Sequence, residues 1–471
     1  MQISSHNNIS ETSTKAVPYI NKQSLFFWVG IHIVLGLFIQ KDSNFSTIWA
    51  YLALAYGIHA IQFKKKQNLA HFFAAYMVGL ELILRMTRAN IFWEYGKYST
   101  ILLLLMGLKT NPFNLRFNKS IFAYFLLLTP SIILSDPNVS GMALREMIAS
   151  TLSGPALLCL ATMYFNKTTM TLAEFTKTVL YLLLPLISAL SFLIKNFYNL
   201  EDITFNMYSN YELSGGYGPN QVSTALGFGV ILIFLCFLLK QSLFHKFYRD
   251  LAFFGLFLVF GLLTFSRGGV ITAVISCFLL ILYFQFSAKK RNLTERIFLM
   301  SILAIVIFFQ LWRSLNSFTD GMLTQRYQVI AHTDVRFSFT GRQDIIKDDI
   351  EIFKDNFLLG VGPGMGRIAR SHYSFGRQAS AHTEFTRMLA EHGLLGLLSL
   401  FFMLTLPFQK FKEHKITDSK LVLIAFVSFS LLTVSHSSMR LALPAFVYGL
   451  AFVTLSSTQK TLSIKNLFSL K

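Results

Sequence analysis

Charged side chains are scarce in this chain of 471 residues: Asp, Glu, Lys and Arg make up 14% of it, where soluble domains carry about a quarter. With 53% hydrophobic residues and a mean hydropathy of +0.51, that deficit excludes a soluble globular fold and points to an integral membrane protein. Acidic residues are the scarcer sign, 23 against 42 Lys and Arg, for a formal charge of +19. Nucleic-acid binding needs cations clustered on one folded face with groove-reading or stacking elements. Here the basic residues fall in short tracts between apolar runs, so no nucleic-acid partner is expected. Cysteine is nearly missing. Cys159, Cys236 and Cys277 all lie in apolar segments, and no Cys-x-x-Cys or Cys/His pair has ligand spacing, which excludes a disulfide framework and a structural zinc. There is no internal repeat and no low-complexity tract. The first twenty or so residues lack the charged, apolar, small-residue progression of a cleavable signal peptide, so insertion is expected through the first apolar run.

Long hydrophobic runs are what the chain has in abundance. Crossing a hydrocarbon core of about 30 Å takes about 20 apolar helical residues. Runs of that character fall near residues 25–40, 46–63, 69–86, 98–109, 120–135, 144–165, 178–194, 220–239, 251–265, 269–287, 297–312, 389–408, 420–437 and 444–457. The expected fold is all-α, an integral membrane protein of about 12–14 transmembrane helices, with the short fourth and ninth runs at the margin of the length criterion.

Cytoplasmic connections should carry the Lys/Arg excess. With the N-terminus inside, the inner connections hold Lys64-Lys65-Lys66, Lys289-Lys290-Arg291 and Lys410/Lys412/Lys415/Lys420, and every alternate connection fits. The outer connections carry mostly single basic residues, with Arg85/Arg88/Lys97 the main exception. This divides the chain into a cytoplasmic tail at 1–24, helices 1–11 over 25–312, a large outer-face loop at 313–388, helices 12–14 over 389–458 and a cytoplasmic tail at 459–471. In the loop, Ile345, Ile346, Ile350, Phe353 and Phe357 recur at helical spacing and predict an amphipathic helix, with Thr340 and Gln343 as its capping box.

Several motifs converge on the outer face. FSRGGV (Phe265–Val270) sits in a hairpin between two apolar runs and places Arg267 where the positive-inside pattern disfavours it. Snorkelling to lipid headgroups is one reading. An anion site is the other: Gly268 and Gly269 permit a ligand or another backbone to come close, and Ser266 as N-cap would direct free helix amides outward. TGRQD (Thr340–Asp344) puts Arg342 in the first turn of the loop helix, either beside Asp344 as a solvated ion pair or as a second anion contact. SAHTEFTRMLAEHGLLGLL (Ser380–Leu398) carries His382 and Glu384 at the point of membrane re-entry. A histidine there serves either as an interfacial hydrogen-bonding group or as a general base. His-x-Glu spacing does not put both side chains on one helical face, so no metal is expected. GVGPGMG (Gly360–Gly366) has the look of a nucleotide loop, but no strand-to-helix unit surrounds it, and a turn cluster is the expected role. In GYGPNQ (Gly216–Gln221), Pro219 is placed near the first position of a helix, and Asn220 either orients a polar ligand or satisfies backbone.

Taken together and in this order, GPNQ, FSRGG, TGR, NFLLGVGPGMG and AHTEF...AEHGLLGLL resemble the O-antigen ligase and O-antigen polymerase superfamily of bacterial envelope glycosyltransferases, over roughly Asn220 to Leu398. The resemblance implies an enzyme of the bacterial cytoplasmic (inner) membrane whose site faces the periplasm. It implies a donor glycan on undecaprenyl diphosphate, a lipid or glycan acceptor hydroxyl, and neither nucleotide sugar, metal nor other cofactor. Carried over, Arg267 and Arg342 match arginines that hold the carrier diphosphate, and His382 matches the histidine that activates the acceptor. Asn220 and Glu384 are further candidate substrate contacts. Many members have Asn after the histidine where this chain has Thr383, which leaves acceptor contacts open. Ligation is the leading expectation. Polymerisation of repeat units is the alternative within the superfamily, and a lipid-linked glycan transporter the alternative from another class.

Overall fold

The computed structural model describes residues 22–39, 44–63, 69–89, 91–92, 94–110, 118–136, 138, 143–199, 205, 208–287, 291–328, 342–374 and 376–456. The tail at 459–471, nearly all of that at 1–24, the basic tracts Lys64-Lys65-Lys66 and Lys289-Lys290, and Thr340 of the expected capping box lie outside the described residues.

Among the described residues there are seventeen α-helices. The first half of the chain forms α1 (Lys22–Phe38), α2 (Asn44–Phe63), α3 (Leu69–Met86), α4 (Tyr95–Thr110), α5 (Lys119–Leu126), α6 (Leu144–Phe165) and α7 (Leu172–Tyr198). Then come α8 (Pro219–Leu238), α9 (Phe247–Leu263), α10 (Arg267–Ser287), α11 (Arg291–Phe318), α12 (Met322–Gln328), α13 (Arg342–Asp355) and α14 (Gly366–Ala369). The chain closes with α15 (Glu384–Glu413), α16 (Thr417–His436) and α17 (Ala442–Leu450). Seven of these, α3, α6, α7, α8, α10, α15 and α16, are long and apolar enough to cross a membrane. The molecule is an all-helical, multi-pass membrane protein.

Local chemistry explains the element boundaries. Thr171 and Glu174 close a capping box at the start of α7, and Pro219 opens α8 at the position where a missing amide costs nothing. The expected run 120–135 is broken: α5 stops at Leu126 and Pro130 begins a separate 3₁₀ turn, Pro130–Leu134, because proline cannot donate into a continuing helix. The run 444–457 is also not one long helix. α17 has nine residues, about 14 Å at the α-helical rise. All of them are buried, and α17 packs on α6. The chain then extends so that Thr454–Leu455 pairs in parallel with Thr169–Met170, which puts residue 456 on the same face as the 166–171 turn.

Two glycine positions set the geometry around the candidate site. α8 is almost wholly buried and packs against both α9 and α10. A Cβ on Gly269 would stand 2.2 Å from the Ser223 backbone carbon, so only glycine lets α10 touch α8 there. α15 breaks at Gly393, whose φ of 58° and ψ of −138° are non-helical. The break frees carbonyls that the 357–362 segment satisfies: Val361 N donates to Ala390 O and Gly362 N to Glu391 O, both at 3.0 Å, while Leu394 N donates to Phe357 O at 2.7 Å. The glycine-rich stretch Gly360–Gly366 is thus a turn cluster docked on a helix break.

Candidate functional site

The hairpin carrying Arg267 is a strained turn tied to two neighbouring helix ends. Phe265, a buried non-glycine residue, is left-handed with φ 53°, a conformation that costs energy unless its surroundings enforce it. Arg326 Nε donates to the Phe265 carbonyl at 3.0 Å, and Arg267 Nη1 donates to the Arg326 carbonyl at 3.2 Å. Ser266 Oγ donates to Asn220 Oδ1 at 3.3 Å, Ser223 Oγ donates to Ser266 O at 2.9 Å, and Asn220 Nδ2 donates to His436 O at 3.2 Å. Both polar ends of the Asn220 side chain are therefore occupied by protein, joining α8 to the hairpin and to the end of α16. Gly268 makes room for the His436 ring, since a Cβ there would lie 2.4 Å from His436 Nε2.

The structure brings Arg267, Arg342 and His382 together. Arg342 is in the first turn of α13, exposed, and within electrostatic reach of Arg267, Arg326 and Arg440. Arg326 is held down to about 10 by burial and then by the charges of Arg267 and Arg342. Among the described residues, Arg267, Arg342 and Arg440 form no ion pair with a carboxylate, and the neutral phenols of Tyr327 and Tyr217 lie near Arg267 and Arg440. Arg342 and Asp344 form no ion pair, as two residues apart on a helix they face different ways.

His382 borders this cluster. It is half-buried, and its ring makes no hydrogen bond among the described residues. Burial, then the positive charges of Arg342, Arg440 and Arg370, push it down to about 4, so it is neutral at physiological pH. Thr383 caps α15 by accepting from Thr386 N at 3.1 Å. Asn and Thr are both N-cap residues, so the departure from the superfamily's Asn keeps that local role. Glu384 is buried in an ion pair with Arg387 and accepts from Met439 N at 3.3 Å. Arg387 also donates to Glu391 at 2.6 Å. His392 is fully buried with Nδ1 2.5 Å from Ser131 Oγ.

The loop helix is amphipathic, but with a different face from the one its isoleucines predict. Ile345, Asp348, Asp349 and Ile352 are buried, whereas Ile350 and Phe357 are exposed. Two acids turn inward because they have partners: Asp349 pairs with the buried Arg370 and accepts from Thr386 Oγ1 at 2.7 Å, and Asp348 accepts from Ser374 Oγ at 2.6 Å. This anchors α13 to α15 and fixes Arg370 near His382.

Sequence reasoning passed over Arg440 and gave Arg326 no role. Neither lies in a recognisable motif, and what places them is the strained turn at Phe265 and the 437–441 connection. One signal was visible: Arg85 and Lys97 break the positive-inside pattern. Arg85 pairs with Glu81 at 2.9 Å and Lys97 with Glu94 at 2.7 Å, and Arg85 also donates to the Arg440 carbonyl at 3.3 Å. These charges sit at the same end of the bundle as the arginine cluster. Among the described residues no group of three or more His, Cys, Asp or Glu side chains is arranged to hold a metal ion.

No curated protein matches the chain. Residues 252–401, about a third of the chain and the part that carries Arg267, Arg342, His382 and Glu384, match the family model Wzy_C, O-Antigen ligase.

Proposed function

We propose that this protein transfers a glycan from a polyprenyl diphosphate carrier to an acceptor hydroxyl, as an O-antigen ligase does, at the periplasmic face of the bacterial inner membrane. One observation carries the reading: among the described residues Arg267 and Arg342 have no carboxylate partner and lie within electrostatic reach of each other, and Arg342 acts on His382, whose ring makes no hydrogen bond there. Like charges brought this close are unfavourable alone and become favourable around a polyanion, which arginine grips through paired donors that stay charged.

In this reading Arg267, Arg326 and Arg342 bind the diphosphate. The acceptor oxygen attacks the anomeric carbon, the bond from that carbon to the diphosphate oxygen breaks with its electron pair leaving on the diphosphate, and His382 takes the hydroxyl proton. Direct attack inverts the anomeric centre. Donors aimed at the oxygen where charge develops lower the barrier. The bound diphosphate also offsets the arginine charges that depress His382, so the base gains strength when the donor is in place. Glu384, engaged by Arg387, acts as a positioning residue for the start of α15, and Asn220 does the same for the hairpin.

The glycan profile of a deletion strain tests the reading. Long carrier-linked chains that fail to reach the envelope acceptor support ligation. Single carrier-linked repeat units point to polymerisation, and an unchanged profile contradicts transfer altogether.

A further inference from the structure

Beside Arg267 and Arg342 lies a cavity of about 610 Å³ with Arg440 on its wall. Arg267, Arg342 and Asn220 are not among its walls, but Gln221, next to Asn220, and Arg440, within electrostatic reach of Arg342, are. Arg440 and Arg370 border the cavity and act on His382 from that side. Ala381 lines it and accepts, through its carbonyl, from Arg440 Nη2 at 3.2 Å and Ser438 Oγ at 3.0 Å. On α8, Gln221 lines it while the adjacent Asn220 is bonded into the hairpin. His382 follows directly on Ala381 of this wall and is within electrostatic reach of Arg342 as well as of the wall residues Arg370 and Arg440.

The chemistry of the walls differs from that of the cluster. Here three of the five lining arginines have acids beside them: Arg387 bridges Glu384 and Glu391, Arg85 reaches Glu94 at 3.6 Å, and Arg370 pairs with Asp349. A balanced lining is a poor sink for a second diphosphate, which the glutamates would repel. It suits a polyol, because carboxylate and guanidinium edges offer paired acceptors and donors to neighbouring hydroxyls, and Tyr217 adds an aromatic face. The volume falls within the range of about 300–1,000 Å³ found for small-molecule sites, room for a few sugar rings and not for a long chain. Buried ionisable groups in a membrane protein cost free energy and point to a functional site.

We infer that this cavity binds the terminal saccharide of the acceptor and presents its hydroxyl to His382 opposite the carrier diphosphate. This rests on the transfer reading above. The acceptor sugar is carried either by an envelope lipid or by a second carrier-linked glycan.

The test uses the purified full-length protein with lipid-linked glycan extracted from the deletion strain, incubated alone and with that strain's envelope lipid extract. Product in the first arm identifies a carrier-linked acceptor, and product only in the second a lipid one. Ser150→Trp, which fills the cavity, and Tyr217→Ala, which strips its aromatic wall, are each expected to raise the acceptor KM by about ten-fold or more. Binding of synthetic undecaprenyl diphosphate is expected to stay at the wild-type level. An unchanged acceptor KM in both variants overturns the inference, as does a parallel loss of undecaprenyl diphosphate binding. Failure of the wild-type protein to bind undecaprenyl diphosphate instead removes the transfer reading, and this inference with it.

Discussion

The Arg267 guanidinium donates to the Arg326 carbonyl at 3.2 Å, so two neighbouring cations are held in register through backbone. Arg326 in turn holds Phe265 O, which keeps the hairpin in its strained form. Arg326→Ala removes one cation and that restraint together. It is expected to slow transfer by about 100-fold, the scale of losing one preorganised donor, with membrane insertion unchanged. Comparing the transfer rate with the amount of inserted protein checks this, and an unchanged rate places Arg326 outside the site.

The arginines around His382 make a definite pH signature. Free His382 is held at about 4, so the acid limb of kcat/KM, which reports the free enzyme, lies far below the ordinary histidine value of 6.5. Removing a neighbouring cation makes protonation easier and raises the pKa. In Arg440→Gln the limb of kcat/KM therefore moves to higher pH. In the wild type, the limb of kcat lies above that of kcat/KM, because the bound diphosphate offsets the same charges. A pH–rate series on the two proteins reads both shifts, and coincident limbs contradict the coupling.

Asp349 is a stability prediction. Its carboxyl is fully buried against Arg370, and Asp349→Ala leaves that guanidinium buried without its partner. The expected loss is about 3–5 kcal/mol, read as a lower unfolding temperature in detergent. Because Arg370 Nη1 also donates to Ala379 O at 2.7 Å, residues approaching His382 should become more protease-sensitive in the same variant.

A pair of glycines separates constraint from mere presence. At Gly393 the left-handed backbone and a Cβ 2.5 Å from Phe357 O both forbid a side chain. Gly393→Ala is expected to cost at least about 1–3 kcal/mol. Gly255 in α9 has nothing within 4 Å of its Cβ position, so Gly255→Ala is expected to be neutral or to gain up to about 1 kcal/mol from helix propensity. Thermal unfolding of the two variants side by side gives the comparison.

These contrasts explain how much was legible in advance. Apolar runs reveal membrane helices because length and hydropathy are local quantities, and α8 and α16 fall where those runs predict. Pro130 shows why 120–135 fails as one span, since a single residue overrides an apolar run. The face of α13 was misread because Ile350 and Phe357 carry the hydrophobic pattern while Asp348 and Asp349 are the residues with buried partners, which only tertiary structure supplies. Arg267, Arg342 and His382 were visible as motif residues. Arg440 was not, because its significance comes from neighbours far away in sequence, Ala381 and Arg342, and from no motif of its own.

The most direct test of the central claim measures carrier binding and turnover together in purified Arg267→Ala and His382→Ala. The account predicts that Arg267→Ala loses affinity for undecaprenyl diphosphate, and that His382→Ala binds it as the wild type does while turnover falls by about 100-fold or more. Turnover near the wild-type level in His382→Ala, or undiminished carrier binding in Arg267→Ala, would contradict it.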